Sequence, residues 1–148
     1  MTGTEPLRAA LADLMRATFL EGSACDPAHM VVSSGCSAVL DNLFYCLGDA
    51  GGSVLIPSPY YPAFDNDLEA KCLLRPVPVP LAGLDGSASG ESIAAQLDAA
   101  AAAAEEAGAP VCALLVTNPN NPLGTVYPPA VVEAMVRWCL ANCVHYVR

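Results

Sequence analysis

Lysine is almost missing from this chain. Of 148 residues only Lys71 carries a side-chain amine, and six bases face 15 acids for a formal charge of −9. Nucleic acids and anionic membranes are gripped by clustered Lys and Arg that displace counterions, so the composition argues against both as partners. Charged residues of both signs reach only 14%, against roughly a quarter in ordinary soluble domains. No run of about 18 uncharged apolar residues occurs, which leaves no candidate membrane helix. The opening MTGTEPLRAALADLM lacks the basic start and apolar run of a secretory leader. Paired-cysteine signatures are missing too: seven cysteines, at 25, 36, 46, 72, 112, 139 and 143, include no CxxC and no His at zinc-ligand spacing. A soluble, reduced, cytoplasmic protein is the expectation. Cys139 and Cys143, one helical turn apart, read as small apolar residues on a buried face, and no metal site is assigned.

Hydrophobic residues make up 54% of the chain, which rules out disorder and supplies a core for one domain, or for one piece of a larger protein. Leu7, Leu11, Leu14, Met15 and Phe19 recur at helical steps behind Pro6, predicting an amphipathic helix from Pro6 to about Glu21. The β-branched run Met30 to Ser33 reads as a short strand, and Ala38 to Leu47 as a helix. Ser53 to Ile56 reads as a buried strand and Ala63 to Cys72 as a helix. Leu73 to Val79 reads as an edge strand, because Pro76, Pro78 and Pro80 withhold ladder donors. An alanine-rich helix follows over Glu91 to Ala107, then a strand at Val111 to Val116, a helix from Pro128 to about Cys143, and a strand at Val144 to Val147. Alternation of this kind with near-continuous apolar strands predicts an α/β fold: three layers, a mostly parallel sheet with helices on both faces.

In such a sheet the carboxyl ends of the strands share one rim, where open α/β sheets bind ligands. Three unusual segments are expected there. Ser34-Gly35-Cys36-Ser37 precedes a helix, and its exposed amides could hold an anion such as phosphate, although Ser and Gly in that place also serve as a plain N-cap. Pro57-Ser58-Pro59-Tyr60-Tyr61-Pro62 holds two tyrosines on a stiff turn. They could offer a flat face and a hydroxyl to a ligand, or simply pack the rim. Thr117-Asn118-Pro119-Asn120-Asn121-Pro122-Leu123-Gly124 fixes three asparagines between prolines, and its amides could enter a pocket or serve the turn itself.

In this order and spacing, together with Asp26-Pro27 and with Ala63-Phe64-Asp65 and Asp67 after the tyrosines, the three segments resemble the class I and II aminotransferase superfamily. These are pyridoxal 5′-phosphate enzymes of fold type I, and the chain looks most like their 1-aminocyclopropane-1-carboxylate synthase branch. The resemblance covers essentially the whole chain, as a partial cofactor-binding large domain over residues 1–148. It implies that Gly35, Cys36 and Ser37 cup the cofactor phosphate, with Ala38 ending the segment, and that Cys36 and Ser37 depart from the family's Ala-Thr. It implies that Tyr61 stacks on the pyridine ring, that Tyr60 lines the substrate pocket and that Asn121 bonds the ring's phenolic oxygen. An amino-acid substrate and a homodimeric parent are implied as well.

Such chemistry also needs a lysine amine for the Schiff base, a carboxylate for the pyridine nitrogen and an arginine for the substrate carboxylate. In similar enzymes these follow the asparagine segment, and this sequence runs to Arg148. No catalytic residue is therefore assigned. Lys71 reads as a solvated surface amine, and His29 and His145 as structural. Two functions are consistent with this: a fragment of an aminotransferase or synthase-like enzyme, inactive by itself, or a non-catalytic binding module of the same fold. A Rossmann nucleotide site is disfavoured, as no Gly-rich fingerprint follows an early strand.

Overall fold

The computed structural model describes residues 2–148. Its elements are helix α1 (Glu5–Thr18), a 3₁₀ turn (Pro27–His29), α2 (Cys36–Leu47), β1 (Ser53–Pro57), α3 (Ala63–Glu69), β2 (Arg75–Val79), α4 (Gly90–Glu106), β3 (Val111–Leu115), α5 (Pro129–Ala141) and β4 (His145–Val147). The chain divides into two compact units, one up to Leu40 and one from Asp41 to Arg148, with α2 running through the boundary.

In the first unit Pro6 sits in the opening turn of α1, where its missing N–H costs nothing, and Glu5 lies beside the positive end of the helix dipole. Two arginines fasten the chain that follows: Arg8 Nη1 donates to the Pro27 carbonyl at 2.9 Å and Arg16 Nη1 to the Cys25 carbonyl at 2.7 Å. Asp26 caps the 3₁₀ turn by accepting from the Ala28 amide at 2.8 Å. The helix is shorter than its periodicity predicts, since Glu21 and Gly22 take left-handed backbone angles. Its apolar positions Leu7, Leu14 and Phe19 are exposed, and Ala12 is its buried residue. The strand expected at Met30 to Ser33 does not form. Val32 makes one backbone bond, to the Thr2 carbonyl, and Val31 stays 66% exposed; β-branched residues need a ladder and a surface to pack on before propensity becomes structure.

The second unit holds a four-stranded parallel sheet in the order β2-β1-β3-β4. All of β1 is buried, which explains its lack of polar alternation. Leu55 and Leu114 face α4 and α5 and join Ile93, Leu97, Val131, Met135 and Trp138 in the main core. Val54, Ile56, Ala113 and Leu115 alternate to the opposite face and are equally buried. α3 packs on β2, and the predicted three-layer α/β architecture is what is found. α3 closes earlier than expected because Leu73 turns left-handed and the Leu74 amide bonds back to the Leu68 carbonyl. β2 is the proline edge the sequence called for. Its Arg75 amide donates to Gly52 and its Val79 carbonyl accepts from Ser58, so the nitrogens of Pro76 and Pro78 face away from β1.

At the amino end of the sheet Ser53 is wholly buried. Its amide and hydroxyl donate to the Pro110 and Ala109 carbonyls, each at 2.8 Å, and its carbonyl receives the Cys112 thiol at 3.3 Å.

Candidate functional site

β1 and β3 are parallel neighbours, so the tyrosine loop after Pro57 and the asparagine loop after Leu115 leave the sheet side by side at its carboxyl rim. A cavity of about 440 Å³ opens between them, lined among others by Pro59, Asn120, Thr125, Tyr127 and, from the loop after β2, Asp85. The peptide bonds Ser58-Pro59, Asn118-Pro119 and Asn121-Pro122 are cis.

The two tyrosines have different environments. Tyr60 donates its hydroxyl to Asp65 Oδ1 at 2.7 Å and lies near-parallel to Phe64 at 6.4 Å. Burial, then the bond to Asp65 and the charges of Asp65 and Glu69, push the phenol up to about 12. Tyr61 remains 43% exposed, with its ring edge-on to Phe64 at 5.6 Å. Phe64 is thus the wedge that sets both rings, one nearly coplanar and one upright.

The three asparagines also divide. Asn121 is exposed, and its amide donates to Thr117 Oγ1 at 3.4 Å. Asn118 Oδ1 accepts from the Tyr127 amide at 2.9 Å, and its carbonyl accepts from Arg148 Nη2 at 3.4 Å. Asn120 is 5% exposed: Nδ2 donates to the Pro59 carbonyl at 3.3 Å and to the Tyr127 hydroxyl at 2.9 Å, while Oδ1 accepts from the Leu123 amide at 3.1 Å. The sequence offers Asn120 only as one of three loop asparagines, and does not offer Tyr127 at all. Asn is common in turns, and nothing in the order of residues distinguishes the buried member of three.

In the first unit Gly35 has φ of +97° with open space where a Cβ would lie, so its requirement for glycine is conformational. Its carbonyl starts the helix by accepting from Val39, and Cys36 and Ser37, the first residues of α2, are exposed. Amides in a first helical turn have no acceptor within the helix. The first-turn amides of α2 and the Ser37 hydroxyl are groups able to hydrogen-bond an anion.

Lys71 lies between α3 and β2, ahead of the amino end of that strand and away from the rim. Its amine is 2.9 Å from Asp41 Oδ2 and 5.6 Å from the centre of the Tyr45 ring. Asp41 holds it above the usual lysine range. Among the described residues no group of three or more His, Cys, Asp or Glu could hold a metal, and no helix is long and apolar enough to cross a membrane.

The likeness to known proteins runs the length of the chain. A probable aminotransferase of Aspergillus fumigatus is 32% identical over 149 residues, covering 99% of this chain and 34% of the relative. 1-Aminocyclopropane-1-carboxylate synthase 6 of Oryza sativa subsp. japonica is 32% identical over 145 residues, covering 98% and 26% respectively. The crystal structure of an aminotransferase from Mycobacterium tuberculosis superposes with a TM-score of 0.77 at 28% identity, over 98% of this chain and 34% of that one. The chain spans about a third, or less, of the length of these proteins. The family model "Aminotransferase class I and II" matches residues 1–147, and the chain belongs to that family.

Proposed function

We propose that residues 1–148 form part of the pyridoxal 5′-phosphate-binding large domain of an enzyme that transforms amino acids, either an aminotransferase or a lyase like 1-aminocyclopropane-1-carboxylate synthase. The observation that carries the reading is the pairing of the tyrosine and asparagine loops on adjacent parallel strands, joined through Asn120. When bound, the cofactor supplies an electron sink that makes the Cα–H of an amino acid acidic.

The chain's own groups do the holding. The first-turn amides of α2 at Cys36 and Ser37, the Ser37 hydroxyl and the left-handed turn at Gly35 receive the phosphate, with the helix dipole aiding. Tyr61 offers its exposed face to the ring, and Asn121 its carboxamide N–H to the phenolic oxygen. Tyr60, kept protonated by burial and by Asp65, lines the substrate pocket as a neutral wall. The substrate of the full-length parent is an amino acid, the parent a homodimer and the compartment the cytoplasm.

Cysteine protection tests this directly. Saturating pyridoxal 5′-phosphate should slow alkylation of Cys36 while leaving the other exposed thiols, Cys46 and Cys143, unchanged. Ser37→Ala, Tyr61→Ala and Asn121→Ala should each weaken binding several-fold in equilibrium dialysis, the range expected for losing one hydrogen bond or stacking contact. Equal alkylation of Cys36 with and without the cofactor, or affinity indifferent to all three substitutions, would sink the reading.

The 148 residues by themselves should not turn over amino acids, because their one side-chain amine is tied to Asp41 at the far end of the sheet. Turnover by the isolated chain, or cofactor fixed to Lys71 by borohydride, would contradict that. A module that binds the cofactor without covalent attachment is the second reading. An open reading frame that continues into a lysine-bearing segment decides for the enzyme.

A further inference from the structure

We propose that Asn120 is a positioning residue, a strut through which the β3 loop sets the tyrosine loop and with it the face of Tyr61. The proposal rests on Tyr61 and Asn121 being the ring contacts. Asn120 stands directly before Asn121, and the carbonyl it holds, that of Pro59, lies two residues before Tyr61. At 5% exposure its carboxamide is sealed from water, with both amide hydrogens and the oxygen engaged. Its backbone is pinned as well: the amide donates to the Thr125 carbonyl and the carbonyl accepts from the Gly124 amide, both at 2.7 Å.

The far anchor is equally fixed. Tyr127 is 5% exposed and held by Asn118 through its amide. Asn118 serves its own loop and Arg148, whereas the Asn120 side chain reaches across to the neighbouring one. The site needs two donors diverging from one short stem, plus an acceptor. Serine has a single donor, aspartate has none at neutral pH, and glutamine sets the amide one methylene too far out.

The test is the near-isosteric Asn120→Asp, which keeps an acceptor for Leu123 and loses both donors. Hydrogen exchange should accelerate about tenfold or more in the peptide spanning residues 58–64, as expected when a buried hydrogen bond is lost. Affinity for pyridoxal 5′-phosphate should fall about tenfold, while inorganic phosphate should protect Cys36 from alkylation equally in the variant and the unsubstituted protein. Tyr61→Ala should then cost far less in the Asn120→Asp background than alone, because the ring is already mispresented. A residue acting only through overall stability would give additive losses and uniform exchange.

Unchanged exchange at residues 58–64, or additivity of the two substitutions, would overturn the proposal. If the unsubstituted protein fails to bind the cofactor, the functional reading falls, and the exchange measurement still decides whether Asn120 is the strut. Should Asn120→Asp not fold, Asn120→Ser, smaller and uncharged, is judged by the same two readouts.

Discussion

Tyr60 gives its hydroxyl to Asp65, while Tyr61 beside it leaves nearly half its surface open. That difference yields a pH prediction. Folding raises the Tyr60 phenol from its ordinary 10.0 to about 12, so the folded state holds the proton more tightly than the unfolded chain. The associated stability is complete below the unfolded value and is lost as pH climbs through about 12. In phenolate absorbance titrations Tyr60→Phe should remove a late-titrating tyrosine, and Asp65→Asn should bring its transition down; a Tyr60→Phe curve lacking only an ordinary tyrosine would refute the assignment. Thiols make a second prediction at this scale. Cys36, Cys46 and Cys143 are exposed, whereas Cys72 and Cys139 are buried and burial pushes Cys139 up to about 11. Native protein should therefore label rapidly at the first three, with Cys72 and Cys139 reacting only as the chain unfolds. Single residues were the hardest thing to read in advance. Pro and Asn mark where loops lie, but which of Asn118, Asn120 and Asn121 is buried depends on Pro59 and Tyr127, brought close by the sheet.

Secondary elements were far more legible, for a physical reason: helix periodicity and proline placement are local. β2 was recognisable as an edge because Pro76 and Pro78 alternate with residues that bond to β1, which leaves no N–H at those positions for another strand to use. Restoring donors with Pro76→Val and Pro78→Val should promote association, seen as larger species in size-exclusion chromatography; an unchanged elution profile would show that this edge is protected by other means. The pairing of α4 with α5 was not legible, since its contacts join residues far apart in the chain, as where Trp138 Nε1 donates to Asp98 Oδ1 at 2.7 Å across forty positions. Trp138, 4% exposed in the main core, should cost about 3–5 kcal/mol when cut to Ala. Trp138→Phe should lose nearer 1 kcal/mol, for the hydrogen bond. Chemical denaturation distinguishes the two. The failed strand at Met30 to Ser33 is the converse case, where β propensity was present and a partner was not.

At the scale of the whole molecule the interior is unevenly shared. Among the described residues the first unit contributes Ala12 and Leu40 to the buried apolar set, and the second supplies the rest. Hydrogen exchange should accordingly be slowest in β1 and β3 and fastest over residues 2–40, where few buried contacts oppose opening. Equal protection in both units would contradict this ordering. The family, too, was readable from widely spaced segments, because the resemblance they carry together extends along the chain, as does the match of the family model over residues 1–147. Ser53 adds a last consequence. By stitching β1 to the chain entering β3, it anchors the floor of the sheet at the opposite end of β1 from the rim, about 13 Å from Pro57. Mutational drift in the rim loops is thereby uncoupled from the foundations, so loop cassettes from kindred proteins could be transplanted above a floor that need not be rebuilt.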